Sequence, residues 1–176
     1  MKKIILSMLL ISLINCAFWS TCFASVNESV TFSCYATTNL TKSITISGTD
    51  NIYVDWGDSN NDEFIASGEV RESFTHTYSQ TGTYQVTITA TDITKLILPE
   101  NDIFEINLTQ ATLLKILDLS DNKITNLDLT KNTVLESLLI PNNYLETLTI
   151  TSNKMTTLDC SRNQITSLVI PQSLIE

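Results

Sequence analysis

From Ile93 onward the chain repeats one phrase eight times: apolar-x-x-apolar-x-apolar-x-x-Asn-x, with starts 10 or 11 residues apart. The phrases begin at Ile93, Ile103, Leu114, Ile124, Leu135, Leu145, Met155 and Ile165. Leu114, Leu117 and Leu119 show the first, fourth and sixth positions of the third phrase. The ninth position is Asn in six of the eight: Asn101, Asn122, Asn132, Asn143, Asn153 and Asn163, with Ala111 and Ser173 as departures. A unit this short cannot enclose a core of its own. It buries its apolar side only by stacking on copies of itself, so the pattern demands a solenoid.

The fourth and sixth positions are two residues apart and share one face of a short strand, whereas the fifth points the other way. The inward set is almost wholly aliphatic. The outward set (Ile97, Asn107, Asp118, Asp128, Leu139, Thr149, Asp159 and Val169) is mixed, as a free outer face would be. Two phrases make one coil, giving coils over 93–113, 114–134, 135–154 and 155–174. No stretch has the length or period of a helix, so both sides of each coil are expected to be extended. The ninth-position amides should stack as a ladder that satisfies turn backbone groups.

Segments such as LKILDLSDNKITNLDLTKN and MTTLDCSRNQITSL resemble bacterial leucine-rich repeats, particularly the short nested IRREKO class. The resemblance covers 93–176 and implies an architecture and protein interaction in general.

Residues 25–92 follow a different period. Val30–Phe32, Ser43–Ile46, Ile52–Val54 and Tyr84–Thr89 alternate and are rich in β-branched and aromatic residues, with turn-formers between them. They predict a small antiparallel β-sandwich. Within it stand Trp56-Gly57-Asp58-Ser59, then His76-Thr77-Tyr78 and Gly82-Thr83-Tyr84-Gln85-Val86. These strings resemble the PKD domain, an immunoglobulin-like sandwich. Its usual string has Gly where Ser59 stands, which leaves the type of this turn open. Trp56 is expected in the core with its indole N–H partnered, and His76 as a structural hydrogen-bonder. Some PKD domains bind calcium, and Asp55, Asp58 and Asp62 cluster around one loop, although without an Asp-x-Asp-x-Asp spacing. The strand VTITATD runs into the first phrase with no linker, so the sandwich is placed to cover the open end of the solenoid. The fold class expected is therefore mainly β: a sandwich over 25–92, then a leucine-rich-repeat solenoid over 93–176 with extended segments on both sides.

The first 24 residues read as a secretory signal peptide: Lys2 and Lys3, an apolar run from Ile4 to Ile14, and small residues before a cut after Ala24. Lipidation at Cys16 is the alternative, opposed by Asn15 where a lipobox needs a small residue. No later segment is long and apolar enough to insert as a membrane helix. Cleavage would remove two lysines and no acid, moving the formal net charge from −9 to −11. Such a surface repels phosphate backbones, so nucleic acid is excluded as a partner class. Cys34 and Cys160 would remain; Cys160 sits at an inward sixth position and reads as a small hydrophobe, with a Cys34–Cys160 disulfide as the alternative.

Chemistry finds little to work with. His76 is the sole histidine. Asp118 and Asp159 lie two coils apart, about 10 Å at strand spacing, with nothing to desolvate either of them. No catalytic residue and no cofactor is expected. The outward positions offer a binding face instead. Odd phrases place Lys95, Ile97, Ile116, Asp118, Ser137, Leu139, Thr157 and Asp159 on one side; even phrases place Glu105, Asn107, Asn126, Asp128, Thr147, Thr149, Ser167 and Val169 on the other. The odd side mixes apolar residues with acids and suits a protein partner better. The expectation is an exported or cell-surface binding module. The alternatives are self-association through the C-terminal end of the solenoid, and calcium-dependent carbohydrate or protein binding by the PKD-like part.

Overall fold

The computed structural model describes residues 27–65 and 69–171. The segment expected to be a signal peptide, its expected cleavage site, Cys16 and Ser173 lie outside the described residues. Eleven strands and no helix occur among those described. Four long strands and one short one build the sandwich: β1 (Asn27–Ala36), β2 (Thr41–Asp55), the short β3 (Asn61–Phe64), β4 (Glu69–Thr77) and β5 (Gly82–Ile97). Short strands follow: β6 (Ile103–Asn107), β7 (Ile116–Asp118), β8 (Ser137–Leu139), β9 (Thr147–Thr149), β10 (Thr157–Asp159) and β11 (Ser167–Val169).

Alternation along the strands builds the sandwich core. Val30, Phe32, Cys34 and Ala36 of β1, Ile44, Ile46, Ile52 and Val54 of β2, and Val86, Ile88 and Ala90 of β5 all point inward and are buried. The longest strands, β2 and β5, bend and pair with three strands each. β5 pairs antiparallel with β1 along Gly82–Thr91, and β2 pairs with β5 in two stretches, Tyr53–Asp55 against Thr87–Thr89 and Thr45–Ser47 against Lys95–Ile97. At the bend of β2 a Cβ on Gly48 would stand 2.7 Å from the Thr91 carbonyl oxygen, so only glycine lets the strands approach. At the bend of β5, Asp92 is left-handed (φ 49°) and the inward phase shifts from Ala90 to Ile93 and Leu96.

Beyond the bend β5 becomes the first strand of the solenoid. β5, β7, β8 and β10 stack in parallel, with Lys95, Ile116, Ser137 and Thr157 in one row and Ile97, Asp118, Leu139 and Asp159 in the next. This is the first side of a β-solenoid of about four turns. The second side is less regular. β9 and β11 pair in parallel, but β6 turns away to pair antiparallel with β1, and the second coil has no strand between them. The expectation of extended segments on both sides thus needs one local correction, at 124–129. The inward leucines still fill the core: Leu96, Leu98, Leu108, Leu117, Leu119, Leu129, Leu138, Ile140 and Leu148 are buried. Burial weakens in the last coil, where Leu158, Cys160 and Ile165 are half-buried. Cys160 faces inward as expected yet remains partly open, and Cys34 and Cys160 are both free thiols.

The amides form the ladder, with one correction. Asn122 accepts from the Ile103 N–H (2.9 Å) and donates to the Leu98 carbonyl (2.8 Å), reaching into the preceding coil. Asn143 and Asn163 repeat this with Ile124 and Leu119, and with Leu145 and Ile140. Asn101 has no preceding coil and instead bonds both main-chain groups of Ser43 in β2, at 2.8 Å each. On the other corner Asn132 donates to Leu108 and Ala111. Asn153, however, is exposed; the buried side chain in its coil is Ser152, whose hydroxyl donates to the Leu135 carbonyl (2.6 Å). The turn after β9 is one residue shorter than its counterpart after Leu129, which moves the ladder position back by one.

Candidate binding face

The first side of the solenoid does not end at β5. Because β2 pairs with Lys95–Ile97 and β4 pairs with β2, strands β4, β2, β5, β7, β8 and β10 form one continuous sheet across the junction. Side chains directly opposite in a sheet share a face. One outward row therefore runs Ser73, Thr45, Ile97, Asp118, Leu139, Asp159, and its neighbour runs Arg71, Ser47, Lys95, Ile116, Ser137, Thr157. Every binding-face residue named from the sequence lies on this sheet. The hydroxyls of Thr45 and Ser73, 2.9 Å apart, hold the sandwich end in register.

Half of this face has a structural duty the repeat pattern hides. At fifth positions an Asp or Asn accepts from the main chain two residues on: Asn107 from Thr109 (3.0 Å), Asp118 from Ser120 (2.9 Å), Asp128 from Thr130 (2.9 Å) and Asp159 from Ser161 (2.9 Å). Each closes an Asx turn as the strand ends. The bonds from Ser161 hold the Asp159 carboxyl below its usual range. Where the fifth residue is Ile97, Leu139 or Val169, the residue two on is Pro99, Pro141 or Pro171, which has no N–H to satisfy. The sequence signal is Asx-x-Ser/Thr against apolar-x-Pro, and the reading of the fifth position as simply outward missed it. Ile97 and Leu139, with the exposed Ile116, are left with no turn to make.

A second cluster lies at the far end of the sandwich. Gly57 is left-handed (φ 78°), and a Cβ there would fall 2.3 Å from the Gln85 carbonyl oxygen. Ser59 takes φ 72°, so the position where the PKD string has Gly is a left-handed one. The Trp56 indole donates to Asp62 (2.8 Å), and Asp58 holds His76 at 2.8 Å. His76 stacks on Trp56 and meets Tyr78 edge-on, while Tyr78 stacks on Tyr84 and donates its hydroxyl to the Trp56 carbonyl (2.7 Å). Burial holds the Tyr78 phenol far above its ordinary value. Burial raises the Asp58 carboxyl, but the bonds from His76 and Asn60 outweigh it and leave the group below the usual range. The calcium candidates thus part company: Asp55 accepts from the Gly57 N–H, Asp58 from Asn60 and His76, and Asp62 from Trp56. Among the described residues no three His, Cys, Asp or Glu side chains converge to hold a metal.

An immunoglobulin-like sandwich continued by a β-solenoid joins two folds of a kind that typically do no chemistry. Residues 17–94 match the model of the PKD domain. PKD domains occur in extracellular or surface proteins and typically serve protein–protein interaction. No curated protein and no solved structure matches the chain.

Proposed function

We propose that this is an exported or surface-exposed, non-catalytic binding module of the leucine-rich-repeat kind, which holds another protein on the outer face of the sheet shared by its two parts. The observation that carries the reading is the pairing of apolar fifth positions with proline. Ile97 and Leu139 neither fill the core nor close a turn, yet stand in one row flanked by Asp118 and Asp159 and beside Ile116. Ile97 and Leu139 alternate with Asp118 and Asp159 along the row and Ile116 lies in the next one, and outward apolar side chains gathered on one face mark a contact surface. The signal-peptide reading of residues 1–24 and the extracellular habit of PKD domains support export.

The test is Ile97→Asp combined with Leu139→Asp in the full chain. The new carboxylates stand directly opposite Asp118 and Asp159, so the melt should fall through like-charge repulsion. Ile97→Ser with Leu139→Ser, which adds no charge, should keep the melt close to wild type. Capture of partner from the surfaces or fluids the protein meets should fall about tenfold or more in both. Capture equal to wild type would show that the face is wrongly chosen.

A second reading has its own observation. In the last coil Leu168 and Val169 are 45% and 53% exposed, and the outer edges of β10 and β11 have no strand partner among the described residues. The other end of the first side is covered by β2, so copies cannot stack head to tail. Self-association would close as a tail-to-tail pair related by a twofold axis. Light scattering distinguishes the readings: a mass independent of concentration removes the pair, and growth beyond two copies contradicts the covered first coil.

A further inference from the structure

The second side of the solenoid holds an open groove of about 650 Å³, a volume within the usual range of small-ligand sites, about 300–1,000 Å³. It lies where the stack loses its regularity. β6 turns away to pair with β1, and the second coil forms no strand between β6 and β9. That strandless stretch is still tied to the third coil at both ends. The Ile124 carbonyl accepts from the Tyr144 N–H (2.9 Å), and the Leu129 carbonyl from the Thr151 hydroxyl (2.8 Å). The coils are therefore held too close for an added strand, and a ligand in the groove meets side chains.

Three successive coils supply those side chains: Glu105 from β6, Asn126 and Asp128 from the second coil, and Thr147 and Thr149 from β9. All five are exposed. Asp128 is engaged by Thr130, and Asn126 reaches only the Thr125 hydroxyl, at 3.4 Å. The side chains of Glu105, Thr147 and Thr149 bond to no described residue, so the fold makes no use of their polar groups. Two carboxylates with neither lysine nor arginine repel phosphates, sulfates and sugar acids. Leu129 is buried and Ile106 and Leu127 are half-buried, so no apolar pocket is left to seat a protein anchor. What remains is a neutral ligand whose hydroxyls both donate and accept, as carboxylate, amide and threonine groups require. Phe104 adds an aromatic ring to the lining, held in place by its stack on Tyr35 at 4.4 Å. A sugar ring carries hydroxyls around its rim and an apolar C–H face, and answers both features. We propose that this groove binds a neutral oligosaccharide, whose hydroxyls bond to Glu105, Asn126, Thr147 and Thr149 while one ring lies against Phe104. These contacts are direct, so binding is independent of calcium. The site is separate from the outer face of the shared sheet, and either can fail without the other.

The probe is a panel of neutral tetrasaccharides of hexose and of N-acetylhexosamine, with a tetrasaccharide of uronic acid as the acidic control. Each is titrated into the full chain, with EDTA and with calcium, and followed by amide chemical shifts. At least one neutral member should bind equally in both conditions and move the amides of Asn126, Thr147 and Thr149. The uronic acid should bind at least about tenfold more weakly. Thr147→Val with Thr149→Val keeps β-branched side chains in β9 and removes only two hydroxyls. It should leave the melt in place and weaken sugar binding about fivefold or more. Glu105→Gln should weaken the neutral sugar and narrow the gap to the uronic acid. Ile97→Ser with Leu139→Ser should leave sugar binding unchanged, so the groove and the outer face are read separately. Silence of every neutral member, preference for uronic acid, loss of binding in EDTA, shifts confined to amides outside the groove, or full binding by the threonine double variant would each overturn the proposal.

Discussion

At the residue scale, buried charge and left-handed backbone decide where this chain is vulnerable. Lys42 faces the interior of the sandwich, fully buried, and its ammonium meets Asp102 at 2.8 Å; Asp102 also holds Lys123 at 2.9 Å. Burial raises the Asp102 carboxyl, but the two lysines outweigh it and leave the group below its ordinary 3.8. The stabilisation is therefore complete above that ordinary value and is lost as pH falls through the folded one. Asp102→Asn strands the Lys42 charge and should cost about 3–5 kcal/mol at neutral pH, read by urea unfolding. Glu28 behaves in the opposite sense. Burial, opposed by the bond from the Ile93 N–H (2.8 Å), leaves its carboxyl above the ordinary 4.5. Its contribution is present below 4.5 and is lost as pH rises through the folded value, so Glu28→Gln should flatten that loss. Wild-type stability that shows no extra decline just above this pH would refute the assignment. Ser59 sits at φ 72°, where an L side chain is strained; Ser59→Gly should raise the denaturation midpoint by an amount worth about 1 kcal/mol.

At the element scale, each coil is held by two kinds of side chain with different failure modes. Leu117 belongs to the shared sheet and is fully buried. Leu117→Ala leaves a cavity and should cost about 2–5 kcal/mol. The two amide N–H groups of Asn122 face the Leu98, Leu119 and Ser120 carbonyls, one N–H being shared, and its Oδ1 accepts from the Asn101 and Ile103 N–H groups. Asn122→Ala leaves main-chain groups of two coils unpartnered in the interior and should cost at least as much, although it removes little apolar area. A comparison of the two by chemical denaturation tests whether the ladder or the leucine stack dominates; a loss under 1 kcal/mol for Asn122→Ala would demote the ladder. The second corner is weaker by construction. Ala111 has no amide to offer, and the Asn132 Oδ1 is buried without a donor because the Ala111 and Leu114 N–H groups bond within their own turn.

At the scale of the whole molecule, the two parts share elements rather than merely touching. β5 runs from the sandwich core into the first coil, β1 pairs with β6, Asn101 bonds Ser43, and Lys42 is neutralised by Asp102 from the solenoid. The solenoid begins on a strand edge that only β2 covers. A fragment starting at Ile93 would expose that edge and lose the partners of Asn101 and Asp102. It should therefore fail to give a cooperative melt, whereas the full chain should unfold in a single transition. Two separate transitions, or a stable isolated fragment, would show that the parts are independent.

Periodicity alone carried the sequence to the right architecture, because a core made of stacked equivalent positions writes itself into the chain as spacing. The PKD strings did the same for the sandwich, since Gly57, Trp56, His76 and Tyr78 are consecutive parts of one packed cluster. The Asx and proline alternation at the strand ends was also present in the sequence, as a local rule two residues long. Other features depend on residues far apart in the chain and leave no local trace. Only the fold brings Lys42 to Asp102, carries the outer face across the junction onto β2 and β4, and turns β6 toward β1 so that a groove opens beside β9. The missed ladder position at Asn153 has the same origin. A shortened turn does not change which residues are apolar, but it changes which polar side chain points inward.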